Sequence, residues 1–160
     1  MAAPAARVDI AVMSRLHRAW RLARWPLLVA GALFVAIQLV PYGWRHPNPP
    51  VVSDAPWPSE ESRQIARTSC YSCHSNETDW PAYSYVAPMS WLVRSDVERA
   101  RHEMNFSDWG EDADEAEDAI EMIEEGAMPP DRYTALHRDA RLSDSEAAVL
   151  IDALRRIGED

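Results

Sequence analysis

The chain is poor in the residues that usually build metal and redox sites. Its 160 residues include two cysteines, five histidines and no lysine. Nothing in the sequence accounts physically for the missing lysine. Both cysteines fall in one stretch, Cys70-Tyr71-Ser72-Cys73-His74. The other histidines, His17, His46, His102 and His137, are scattered, so a structural zinc site lacks a fourth ligand at ordered spacing. The cysteines also lack the alternating strand and helix patterns of a thioredoxin-type dithiol. No repeat or strand pattern is evident, and the globular part reads as all-α. Positive charge is missing where nucleic acid would need it. Residues 1–44 carry five arginines against one aspartate, whereas the remainder carries eleven arginines against twenty-five acids, a net −14. Phosphates require a basic face, so nucleic acid is excluded as a partner. An acidic body suits a basic protein partner, although a charge run is usually a solvated surface.

The Cys70–His74 stretch holds the chemistry. Two thiols three positions apart, followed at once by an imidazole, have the spacing of covalent c-type haem attachment. Each thiol adds across one vinyl group of the porphyrin to give a thioether. Cysteines about one helical turn apart reach adjacent edges of one ring. His74 then supplies an axial nitrogen to the iron. The expected cofactor is therefore one haem c with its iron, carried by Cys70, Cys73 and His74.

Four segments are expected. Residues 1–24 form a basic N-terminus with Arg15, Arg18, Arg21 and Arg24, in which His17 is a solvent-exposed bystander. Residues 25–44, WPLLVAGALFVAIQLVPYGW, form an uncharged run of the ~20 residues that a membrane-crossing helix needs. Pro26 falls in its first turn, and Trp25, Tyr42 and Trp44 stand at its ends as interfacial aromatics do. The preceding arginines place the N-terminus in the cytoplasm and the body outside. A cleaved signal peptide competes, with Ala30-Gly31-Ala32 as the site. Cleavage there would split the apolar run, so an uncleaved signal anchor is expected. Residues 45–58 contain five prolines and read as an extended linker with His46 exposed. Residues 59–160 form the haem-binding domain.

Within that domain, Ser59 is the expected N-cap of a helix, with Ile65, Ala66 and Cys70 near one face. Residues 75–87 read as loop, with Trp80, Tyr83 and Tyr85 as candidate walls of a haem pocket. Asn76-Glu77-Thr78 is formally a glycosylation sequon but reads as an ordinary turn. A helix is expected from Pro88 to Met104, with a buried stripe of Met89, Val93, Val97, Ala100 and Met104. Another runs from Glu111 to Glu125 and is ended by Gly126. In Gly126-Ala127-Met128-Pro129-Pro130, two prolines forbid helix and stiffen a loop that can hold a thioether at a set distance from iron. The last helix opens on Ser143-Asp144-Ser145-Glu146, a capping box, and presents Ala147, Leu150, Ile151, Leu154 and Ile157 on one face.

From Asn48 to the C-terminus the sequence resembles the small membrane-anchored haem-binding domain proteins of bacteria. The resemblance rests on CYSCHSNETDWPAYSYVAPMSWLV (70–93), NFSDWG (105–110), EEGAMPP (124–130), Leu136-His137 and the final helix. Two positions depart from the pattern: Ala82 stands where an aromatic is common after Trp-Pro, and Met89 where an aliphatic is usual. The resemblance implies a cytochrome c-like helical domain preceded by one N-terminal transmembrane helix. It also implies Cys70 and Cys73 as attachment points, His74 as proximal ligand and Met128 as sixth ligand. Covalent haem attachment in bacteria is extracytoplasmic, which agrees with a periplasmic domain on the cytoplasmic membrane.

The other candidates for the sixth position are His137, Met89, Met104, His102 or an open site. Saturated His/Met ligation suits electron transfer by Fe(II)/Fe(III) cycling. An open site would allow NO or CO binding, hence sensing, or peroxidase-like turnover. No distal acid–base pair is evident, so an electron carrier is expected rather than an enzyme.

Overall fold

The computed structural model describes residues 10–112 and 115–159. The chain divides into two units, 1–41 and 42–160. In the first, helix α1 spans Ile10–Gln38, so it begins well inside the basic segment. Arg7 and the side chains of Arg15, His17 and Arg21 lie outside the described residues.

Among the described residues no helix is long and apolar enough to cross a membrane. The expected transmembrane helix over 25–44 is therefore corrected, and with it the location of the domain on the outer side of a cytoplasmic membrane. The uncharged run does not stay helical. α1 ends at Gln38, and the stretch Leu39–Trp44 leaves the helix. From Trp25 to Gln38 the helix rises roughly 21 Å, against a hydrocarbon core of about 30 Å. Tyr42 and Gly43 instead belong to the second unit. The Tyr42 hydroxyl donates to Glu98 Oε2 at 2.8 Å. Gly43 has φ +85°, and a Cβ there would stand 2.7 Å from the Ser90 carbonyl oxygen, so only glycine fits.

The second unit is helical, and its described residues form no strand, only one isolated bridge between Ser53 and Asp108. α2 spans Glu60–Ser69 and is capped by Ser59, whose Oγ accepts from the Ser62 N–H at 3.1 Å. The short α3, Tyr71–His74, follows directly. A 3₁₀ turn at Ala82–Tyr85 leads to α4, Met89–Glu103. The single helix expected over 111–125 is instead two, α5 at Trp109–Asp112 and α6 at Ala116–Glu124. Gly126, at φ +70°, closes α6 by donating to the Ile123 carbonyl. α7 covers Asp131–Thr134. α8, Asp144–Gly158, opens on the expected capping box: the Ser143 hydroxyl receives the Glu146 N–H, and the Glu146 carboxylate receives the Ser143 N–H.

α8 packs on α6 and α2, burying Leu150, Leu154 and Ile157 against Ala66, Tyr71, Phe106 and Trp109. Phe106 is the centre of this core. Its ring stacks on Tyr71 at 5.3 Å and on Trp109 at 5.6 Å, with Trp57 tilted against it at 5.1 Å.

Residues 45–58 are not a free linker. They run across the domain as a strap. The Arg101 guanidinium donates to the Pro47 carbonyl and Asn48 Oδ1, and also to the Ser75 carbonyl and Thr78 Oγ1. Further along, the Ala55 N–H donates to the Phe106 carbonyl at 2.8 Å. His46 is half-buried rather than exposed. Its Nε2 lies 2.9 Å from the Ser84 carbonyl, and its ring packs on Trp80 and Tyr85. Asn76 is 7% exposed and donates to the Pro50 carbonyl, so the sequon is structural.

Phe106→Ala removes a side chain that is 1% exposed at the meeting point of four aromatic rings. It should cost about 3–5 kcal/mol of stability, read as a lower guanidinium midpoint. Leu92→Ala, at a position 41% exposed on α4, should change the midpoint little.

Candidate functional site

The site begins where α2 breaks. Cys70 adopts φ −121°, ψ −41°, then receives the Cys73 and His74 N–H groups on its carbonyl at 3.0 and 2.9 Å. That turn puts Cys70, Cys73 and His74 along one wall. Tyr71 points the other way and is 3% exposed. Its hydroxyl donates to Asp54 Oδ1 at 3.0 Å and accepts from Trp57 Nε1 at 2.9 Å, while Arg63 holds Asp54 Oδ2 at 2.7 Å. Burial pushes the Tyr71 hydroxyl up to about 12, so it stays a donor. Ser75, fully buried, donates back to the Tyr71 carbonyl at 2.7 Å.

His74 is fixed at both ends. Its carbonyl accepts the Phe106 N–H at 2.9 Å, and its Nδ1 donates to the Met104 carbonyl at 3.1 Å. A carbonyl can only accept, so the proton sits on Nδ1 and the Nε2 lone pair is left for a metal. Burial holds the imidazole below its usual range, outweighing the backbone carbonyls of Met104 and Ala100, which act the other way. The ring is neutral at pH 7, as a ligand must be.

Cys70, Cys73 and His74 open on a cleft of about 690 Å³, within the ~300–1,000 Å³ range of cofactor sites. Its apolar surface comes from Met104, Phe106, Ile123, Leu142, Leu150 and Leu154. Met128 lines the same cleft from the far stretch of sequence. Its loop is secured where the Met122 carbonyl accepts both the Ala127 and Met128 N–H groups, at 2.9 and 3.1 Å. Met128 is 38% exposed.

The competing sixth ligands separate by position. His137 does not line the cleft: its Nε2 bonds to the Tyr83 hydroxyl at 2.7 Å, and its ring stacks on Tyr133. His102 is exposed, and Met89 is half-buried away from the cleft. Met104 does line it, from the segment that holds His74.

Trp80, Tyr83 and Tyr85 do not wall the cleft. Trp80 and Tyr85 pack on His46 instead, and Tyr133, unremarked in the sequence, takes the aromatic place. Met122 was also missed. The signal for it was present, since Ala119, Met122 and Ile123 follow the i, i+3, i+4 spacing of one helix face.

The donor set suits haem better than a bare ion. Two thiols, one oriented imidazole and a thioether border an apolar cleft, as a porphyrin with axial ligands requires. Among the described residues no cluster of three or more Cys, His, Asp or Glu is placed to hold a metal ion alone.

Burial also sets the thiol chemistry. It pushes Cys70 up to about 12, with Cys73 adding to the shift, and Cys73 up to about 11, where Asp96 adds to it and Arg132 and Arg101 oppose it. The thiolate is the alkylated form. In the haem-free folded chain at pH 8, iodoacetamide should therefore modify these thiols about 100-fold or more slowly than in the urea-unfolded chain. The rate should climb as pH approaches 11. Equal rates in folded and unfolded chains would contradict the burial.

Residues 32–156 match the family model described as a haem-binding domain. Neither a curated protein nor a solved structure matches the chain. With the match running from α1 into α8 and across every residue of the cleft, the chain belongs to the haem-binding domain family.

Proposed function

We propose that this protein carries one c-type haem, bound through thioethers at Cys70 and Cys73, and transfers single electrons. The carrying observation is the shared cleft: Cys70, Cys73, His74 and Met128 all line it, although Met128 lies 54 residues after His74. Haem, when bound, supplies an iron that alternates between ferrous and ferric states. The chain does the rest. Tyr71 and Ser75 hold the turn that would attach it, and the Met104 carbonyl orients His74, whose imidazole would hold the iron. The Pro129-Pro130 loop presents Met128, whose thioether would hold the iron, and Phe106, Leu150 and Leu154 would keep water from the ring.

A second reading has one observation in its favour. Met128 is 38% exposed on a loop, which suits a displaceable ligand and hence a haem-based sensor of NO or CO. The two readings part in one experiment. Under electron transfer, the reduced wild-type protein takes up CO slowly at neutral pH, whereas Met128→Ala loses its far-red thioether-to-iron band and takes up CO rapidly. Rapid uptake by the wild type favours sensing. Attachment is read separately: haem should stay on the chain through denaturing electrophoresis and be lost from Cys70→Ser/Cys73→Ser.

The redox partner under this proposal is a basic protein. Glu103, Glu115, Asp118 and Glu121 border the cleft, and residues 45–160 carry net negative charge. Its association rate should fall about tenfold or more as ionic strength rises from 0.01 to 0.15 M, where the Debye length shrinks from ~30 to ~8 Å. A rate indifferent to salt would count against an electrostatic partner.

A further inference from the structure

We propose that Arg99 and Arg132 form the seat for the haem propionates, with Asp96 positioning both. Haem carries two carboxylate arms on the pyrroles that do not bear vinyl groups, so it brings two negative charges into the cleft. Most ionised groups already there repel them. Glu103 faces the cleft from α4, and Glu115, Asp118 and Glu121 face it from α6 and the residue before it. Among the described residues lining the cleft, Arg99 and Arg132 are the cations.

These two arginines come from different helices, α4 and α7, and converge on one carboxylate oxygen. Asp96 Oδ1 receives Arg99 Nη2 at 2.9 Å and Arg132 Nη2 at 3.2 Å. The Asp96 side chain is 21% exposed, whereas the arginines are 69% and 61% exposed. The carboxylate is thus the more buried partner, and the guanidinium groups keep most of their surface open. One carboxylate between two guanidiniums leaves a net positive charge. A guanidinium has five N–H donors in a planar fork that matches a carboxylate, and Asp96 occupies few of them.

Position agrees with charge. Asp96, Arg99 and Arg132 line the same cleft as Cys73. Each vinyl-bearing pyrrole of haem neighbours a propionate-bearing one, so a seat in the cleft that Cys73 lines fits a ring attached there. This orientation rests on the proposed attachment at Cys70 and Cys73. Arg132 also lies four residues after Met128 on the same segment. A propionate held by Arg132 would draw the Met128 loop over the ring, so cofactor orientation and the distal ligand are coupled through one arginine.

The test uses the haem-loaded full chain and resonance Raman spectroscopy, which resolves propionate bending bands from iron spin-state bands. In Arg99→Gln and Arg132→Gln the propionate bands should shift, and in the double variant they should shift further. Arg155→Gln, which removes an exposed partner of Glu124 outside the cleft, should leave them in place. Propionate bands that superimpose on wild type in both single variants would overturn the seat, and the singles decide the matter if the double variant fails to load haem. Haem that leaves the wild-type chain on denaturation, while its bands still move on substitution, would support the seat and overturn thioether attachment instead.

Discussion

Everything at the cleft depends on the burial of Tyr71. A turn of four residues has too few bonds of its own to fix three functional side chains. Here the turn is anchored by the one member that faces inward. Tyr71 stacks on Phe106, bonds to Asp54 and Trp57, and lies under the cation of Arg67 at 4.9 Å. With that ring locked in the core, Cys70, Cys73 and His74 have one direction left, into the cleft. The same Phe106 that stacks on Tyr71 also bonds through its N–H to the His74 carbonyl. Core packing and site geometry are therefore one arrangement. The residue between the two cysteines that looks like a spacer is what holds the motif.

The sequence made local features legible and long-range ones obscure. The α8 capping box, the Ser59 cap and the stop at Gly126 each depend on groups a few residues apart, and each stands where expected. The Cys70–His74 spacing is local in the same sense. The strap over 45–58 was not. Its bonds join Arg101, Asn76 and Phe106 to backbone atoms of Pro47, Pro50 and Ala55, and proline-rich segments held by their backbone leave no periodic pattern. The uncharged run at 25–44 misled in another way. Hydropathy alone does not record that the chain turns after Gln38 to place Tyr42 on Glu98 and Gly43 against Ser90. The walls of the cleft were partly misassigned because proximity in sequence to the cysteines favoured Trp80 and Tyr85. The fold instead brings Tyr133 and Met122 from far downstream.

The charge distribution separates two tasks along the cleft. Carboxylates of α4 and α6 set a negative border, which repels anions and attracts a basic surface. Asp96 with its two arginines interrupts that border at one point. A prosthetic group with charged arms then has one favourable orientation among several that the apolar interior would accept, because dispersion and burial do not distinguish the edges of a ring.

The acceptor for the His74 imidazole is a main-chain oxygen, at residue 104. No side-chain replacement at Met104 deletes it, since every amino acid carries the same carbonyl. The basicity of the imidazole is thereby insulated from point mutation at its own partner. It is open to change only through displacement of the backbone at 104–106, a segment clamped by His74 on one side and by Ala55 of the strap on the other. Sequence drift over the surface of this domain can then alter its exterior while the electronic character of this imidazole stays constant.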